Sequence, residues 1–202
     1  RAGGGGKPVV GERPVGGGID DSRDVVARLE ASATTNVVNF AQSSSRAAAL
    51  TEQRLKNGDF GAIAGVDVIV HFSSWPRAWQ ADADWLRYRQ QGGYTREVFS
   101  HFLYLVERFM GPATLIDAAA VYQGDPALCE THVTATLDCD GVAVKLLGSS
   151  GGAGPDRVEM TIWGSKLSHR LHDWFELQVS DGGDWRRDRA GFGDPRNDSF
   201  RR

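Results

Sequence analysis

A carboxylate and an imidazole stand four residues apart, as Glu97 and His101, in the segment Gly92-Gly93-Tyr94-Thr95-Arg96-Glu97-Val98-Phe99-Ser100-His101. A helix begun after the glycine pair brings the two side chains to one face. There a carboxylate orients the ring, and the ring carries a proton near neutral pH. A second candidate lies near the amino end, where Gly6-Lys7-Pro8-Val9-Val10-Gly11-Glu12-Arg13-Pro14 reads as a short buried strand running into a proline turn. Strand ends of open α/β sheets are where ligands bind, although a strand followed by proline is also an ordinary way to end an edge. Arg13 stays charged in any protein environment, so it can attract a carbonyl or carboxylate but cannot serve as a general base.

Between the two lies Trp75-Pro76-Arg77-Ala78-Trp79-Gln80, followed by Trp85, with Arg77, Arg87 and Arg89 interleaved. Aromatic faces stack on sugar rings and arginines clamp acidic groups, yet the same residues equally close a core under a long loop. His132, His169 and His172 show no grouping with cysteines or acids that would hold zinc. The last two, spaced by three, fall on opposite faces of a strand. Gly148-Ser149-Ser150-Gly151-Gly152-Ala153-Gly154 has no Lys-Ser or Lys-Thr after it and reads as a strand connection rather than a phosphate loop.

The elements that must carry these residues are predicted from periodicity. A strand over Pro8 to Val10, a helix capped by Asp20 or Asp21 with Val25, Val26 and Leu29 on one face, and a strand over Asn36 to Phe40 form a parallel strand-helix-strand unit. Ser43 to Ser45 caps a helix over Arg46 to Lys56 that stops at Gly58. Ala62 to Phe72 is a strand, and Thr95 to Met110 is a helix with an apolar stripe of Val98, Phe102, Leu105, Val106 and Phe109. From there strands are predicted over Leu115 to Tyr122, Cys129 to Cys139, Val142 to Leu147, Val158 to Trp163, Ser165 to Leu171 and Trp174 to Val179, with a hairpin turn at Asp140-Gly141. Asp181 to Arg202 reads as irregular. The fold class is α+β: a large, mostly antiparallel sheet with helices on one face, preceded by a piece of parallel α/β structure.

The chain has 202 residues, 41% of them hydrophobic, and a net charge of -3, enough for a sizeable core and without the basic excess that nucleic acid or an anionic membrane would require. Two cysteines, Cys129 and Cys139, sit in predicted strands and fit a reducing compartment better than a disulfide scaffold. No apolar run reaches the roughly 20 residues of a membrane span, and a cytoplasmic location is expected.

Together, the Gly6–Pro14 strand end and the Gly92–His101 helix start resemble the glucose-fructose oxidoreductase and inositol dehydrogenase (Gfo/Idh/MocA) family. In that family a G-K-x-V-x-x-E-K-P strand end meets a G-G-G...D-x-x-x-H helix start at one active site. The resemblance implies hydride transfer between NAD or NADP and a sugar-like or cyclic polyol substrate. It implies that Glu12, Arg13 and Pro14 shape the nicotinamide site, that His101 carries the proton, that Glu97 orients it and that Arg13 is an electrostatic contact. It further implies that Trp85, Arg77, Arg96 and His101 touch substrate, and that the protein forms a homo-oligomer through the open sheet face. The sequence departs from the family pattern at Arg13, where a lysine is usual, at Glu97, where an aspartate is usual, and at Tyr104, where a later acid is usual. The G-x-G-x-x-G turn is missing. Residues 1–42 are therefore expected to be a remnant of a dinucleotide-binding domain and residues 43–202 an α+β substrate-binding and oligomerisation domain, the whole being a truncated form. The alternative is a non-catalytic ligand-binding or self-association module.

Overall fold

The computed structural model describes residues 8–11, 15–32, 34–122 and 124–189. Strands β1 (Val9–Gly11) and β2 (Asn36–Val38) pair in parallel as a two-stranded sheet joined by helix α1 (Ile19–Ala31), as predicted, but β1 is not the buried strand expected: Val10 is 72% exposed, because the two-stranded sheet has no further strand to cover it among the described residues. The start of α1 differs from the prediction. Its cap is Gly18 with no side-chain hydrogen bond, and Asp20 and Asp21 lie inside the first turn, where their charges favour the amino end of the helix dipole.

Helix α2 (Arg46–Lys56) begins as expected, with Ser45 Oγ accepting the Ala48 N–H at 3.0 Å, and it buries Ala47, Ala48 and Thr51. Strand β3 (Ile63–Phe72) alternates strictly: Val66, Val68, Val70 and Phe72 are buried. Helix α3 (Ser100–Met110) follows the tryptophan-rich loop. It buries His101, Phe102, Leu105 and Val106 against the sheet.

The remaining strands are β4 (Thr114–Val121), β5 (His132–Cys139), β6 (Val142–Ser150), β7 (Arg157–Gly164), β8 (Ser168–His172), β9 (Glu176–Ser180) and β10 (Arg186–Arg187). With β3 they form one eight-stranded sheet in the order β10-β9-β8-β7-β3-β6-β5-β4. Only β3 and β6 pair in parallel; the other neighbours are antiparallel. Asp140 and Gly141 take φ of 51° and 85°, the positive angles the β5–β6 hairpin requires. The sheet's helix-covered face supplies Leu137, Val144, Met160, Ile162, Leu171 and Leu177 to the core. Strand β10 corrects the reading of 181–202 as irregular: Arg187 ion-pairs with Glu176 across the edge and extends the ladder by two residues.

Thr95–Phe99 forms one wide π turn that leads into α3, where an unbroken α-helix is predicted. Its start is pinned from afar. Glu130, 8% exposed just before β5, accepts the Thr95 N–H at 2.8 Å. Gly93 has φ of 94°, and a Cβ there would meet the Glu130 carboxylate at 2.7 Å, so glycine is needed for both angle and space.

Behind the helices His169 is 2% exposed, with Nδ1 2.9 Å from Thr51 Oγ1 and Nε2 2.9 Å from Arg54 Nη1. Arginine only donates, so Nε2 accepts and Nδ1–H donates to the threonine. Burial, and then the Arg54 charge, lower the His169 pKa to about 4.

Two outcomes are expected. The unfolded chain binds a proton at a histidine near pH 6.5 and the folded chain near 4, so the stability held by neutral His169 is fully present above about pH 6.5. It is lost as pH falls towards 4, by about 3 kcal/mol in total. Urea unfolding from pH 7.5 to 4, with and without His169→Gln, checks this; equal pH slopes in the two proteins would refute it. Glu130→Ala, which leaves a buried N–H without its acceptor, should cost about 1–3 kcal/mol, and Glu130→Gln, which keeps an acceptor oxygen, should cost less, both read by thermal denaturation.

Candidate functional site

The π turn and the first turn of α3 deliver Glu97 and His101 to the helix face that looks back towards the tryptophan loop. His101 is 5% exposed and is held edge-on between two rings from distant parts of the chain: Phe40, just after β2, at 5.9 Å, and Trp174, between β8 and β9, at 6.1 Å. Phe40 also stacks on Tyr104 at 4.7 Å, so the residue found where the family pattern has a second acid acts here as a packing surface. Trp174 reaches this position through a turn in which Asp173 and Trp174 have φ of 43° and 70°.

The tryptophan loop folds onto the same region around one cation. The Arg77 guanidinium lies 5.0 Å from the Phe72 ring, 5.6 Å from Trp75, 4.6 Å from Trp79 and 5.3 Å from Trp174. Gln80 Oε1 accepts from Arg77 Nε at 2.9 Å and from its backbone N–H at 3.3 Å, which closes the short turn Ala78–Gln80. Burial pulls the Arg77 pKa down, and the charges of Glu97 and Asp156 oppose that pull, so the guanidinium stays charged beside Glu97. Trp75 anchors the loop by donating from Nε1 to the Leu86 carbonyl at 3.0 Å.

Beside this cluster runs a mostly apolar cleft of about 570 Å³, lined by Val15, Ile19 and Val26 of the α1 region, Phe40, Arg96 and Ser100. Arg96 spans its floor, donating from Nη1 to the carbonyls of Gln90 at 3.1 Å and Gly17 at 3.4 Å.

Of the residues singled out in the sequence, Glu97, His101 and Arg77 come together, and Arg96 lines the adjoining cleft. Trp85 lies on the turn Asp84–Arg87, is 40% exposed, and makes no ring contact with the Arg77 cluster. Glu12, Arg13 and Pro14 lie outside the described residues. Sequence reasoning passed over Phe40, Trp174, Glu130 and Gln80. Phe40 and Trp174 read only as strand residues, and nothing in spacing marks an arch that will carry a tryptophan back over a helix. Among the described residues no group of histidine, cysteine and acidic side chains is arranged to hold a metal, and no helix is long and apolar enough to cross a membrane.

The chain matches none of the curated protein sequences. Its fold is that of several solved structures. It has a TM-score of 0.77 and 14% identity to levoglucosan dehydrogenase in complex with NADH, covering 95% of this chain and 61% of that one. Against the WlbA dehydrogenase from Chromobacterium violaceum in complex with NADH and UDP-GlcNAcA the values are 0.73 and 19%, covering 93% and 57%. Against a super-repressor mutant of Gal80p from Saccharomyces cerevisiae they are 0.78 and 13%, covering 96% and 57%. The chain thus spans less than two thirds of the length of each. The family described as the GFO/IDH/MocA C-terminal domain matches residues 49–170, a span that includes β3, the tryptophan loop, the Glu97–His101 turn and the sheet through β8. With that match over more than half its length, the chain belongs to the GFO/IDH/MocA C-terminal domain family of oxidoreductases.

Proposed function

We propose that this chain is the substrate-binding part of a nicotinamide-dependent oxidoreductase that interconverts a hydroxyl and a carbonyl on a sugar-like or cyclic polyol substrate. The observation that carries the reading is the buried His101 imidazole, one turn after Glu97, wedged between Phe40 and Trp174 beside an apolar cleft. NADH is present in the complexes of levoglucosan dehydrogenase and WlbA, which have this fold.

The cleft's volume is within the usual range for small-ligand sites, and its lining of Val15, Ile19, Val26 and Phe40 suits a planar ring better than a phosphate. It suits the nicotinamide end of NAD or NADP, for which the family resemblance assigns Glu12, Arg13 and Pro14, next in sequence after β1, as further contacts. The cofactor would supply or accept the hydride. The rest of the chemistry falls to this chain. His101 takes the hydroxyl proton when the substrate is oxidised and returns it when the carbonyl is reduced, because imidazole exchanges protons near neutral pH. Glu97 supplies negative charge one turn away, which favours the protonated ring in the oxidation direction. Phe40 and Trp174 prevent the ring from turning and keep bulk water from it.

The open sheet face supports a homo-oligomer: Leu147 and Trp163 on it, and Leu115, Ile116 and Val121 of edge strand β4, are large apolar residues left 40–63% exposed. A second reading, a non-catalytic ligand-binding or self-association module, draws on the likeness to Gal80p, a protein named as a repressor.

Two measurements separate the readings. With any coding sequence upstream of Arg1 included, titration with NADH and NADPH should give saturable binding, and a panel of aldoses and cyclic polyols should change reduced-nicotinamide absorbance. His101→Asn should lower kcat roughly 100- to 10,000-fold with nucleotide affinity unchanged. Nucleotide binding without turnover of any panel member would favour the second reading; turnover that survives His101→Asn would remove His101 from its role. Sedimentation of wild type against Leu147→Glu should convert an oligomer to a smaller species, and an unchanged mass would exclude the open face as the contact.

A further inference from the structure

The four rings pack on the Arg77 guanidinium without using its hydrogen-bond donors. Nε is used by Gln80, but neither terminal nitrogen donates a hydrogen bond to any acceptor among the described residues. Glu97 and Asp156 act on it through charge and not through contact, and Asp156 is already occupied, accepting from the Ser73 N–H at 3.0 Å and from Ser73 Oγ at 3.2 Å. A permanently charged fork held by Gln80 among aromatic faces matches a carboxylate in geometry.

Trp79 adds the second half. Its ring packs on Arg77 at 4.6 Å, yet the residue is 75% exposed, so a second aromatic face is presented to solvent and kept in place from behind by the guanidinium. An exposed tryptophan held in this way is a stacking platform for the apolar face of a sugar ring. Of the rings around Arg77, Trp174 also touches His101, at 6.1 Å, so the platform and fork sit one ring away from the imidazole.

We infer that Arg77 and Trp79 form a subsite for a sugar acid, with the substrate carboxylate on the Arg77 fork and its ring on Trp79. This deepens, and rests on, the oxidoreductase reading of the His101 site. It gives Arg77 a task that a loop clamp does not need, since stacking alone would hold the loop with the charge turned outward.

The test is a pair of titrations of the wild-type protein, followed by tryptophan fluorescence and by the Arg77 Nε–H resonance, with D-glucuronate and with D-glucose, which differ only in a carboxylate against a hydroxymethyl group. Glucuronate should bind at least about ten times more tightly than glucose. Arg77→Gln should erase the difference between the two sugars, Arg77→Lys should keep part of it, and Trp79→Ala should weaken both sugars. Arg77→Lys keeps a cation in the cage, and its melting curve shows whether a loss reflects binding or folding. Equal binding of the two sugars, or a glucuronate preference that survives Arg77→Gln, overturns the proposal and leaves the sugar-oxidoreductase reading standing. Failure of both sugars to bind, with and without NADH, overturns the subsite, while the oxidoreductase reading rests on the wider panel of aldoses and polyols.

Discussion

A buried carboxylate sets where the turn carrying Glu97 into α3 begins. Glu130 has left water at the entrance of β5 and recovers part of its solvation from the Thr95 N–H at the mouth of the π turn. The turn presents the Thr95 amide hydrogen to it, and Gly93 passes beneath it without a side chain. Tyr94, between them, is fully buried against Phe72, Trp75 and Phe99, and burial with the nearby Glu130 charge pushes its phenol pKa upward, so the ring stays neutral. Once that junction is made, the direction of α3 and the places of Glu97 and His101 follow.

The sheet divides labour between its faces. One face takes the helices and the core, and there Thr51 and Arg54 occupy both ring nitrogens of the buried His169. The other face carries polar side-chain pairs towards the β10 edge: Arg157 with Glu159 along β7, and Arg170 with Gln178 and Arg187 with Glu176 across strands. Towards the β4 edge it turns apolar at Leu147 and Val121. His101 packs on the covered side, and the exposed apolar side chains of Leu147 and Trp163 lie on the uncovered side.

The cation at Arg77 ties three stretches of chain into one site: the end of β3 through Phe72, the loop through Trp75 and Trp79, and the β8–β9 arch through Trp174. Guanidinium suits this place better than ammonium. It is weakly hydrated, so it tolerates aromatic surroundings, and it keeps its charge while burial pulls its pKa down. Trp174 belongs both to this cage and to the packing of His101, which couples loop, helix and sheet at a single ring.

By itself the sequence determined the parts whose cause is local. Period-two alternation placed β3, Ser45 announced α2, Asp140-Gly141 specified its hairpin, and the Gly92–His101 spacing marked the acid and the imidazole, because each depends on backbone angles and neighbours a few residues away. The family likeness was legible for the same reason, through contiguous motifs. Tertiary structure decided the rest: that Phe40 and Trp174 would close on His101, that Glu130 would hold Thr95 from 35 residues away, that Arg77 would be caged while Trp85 stood apart, and that β10 would extend the edge. These contacts join residues whose separation along the chain carries no periodic signal, and they exist only where the packed sheet and helices bring the side chains within reach.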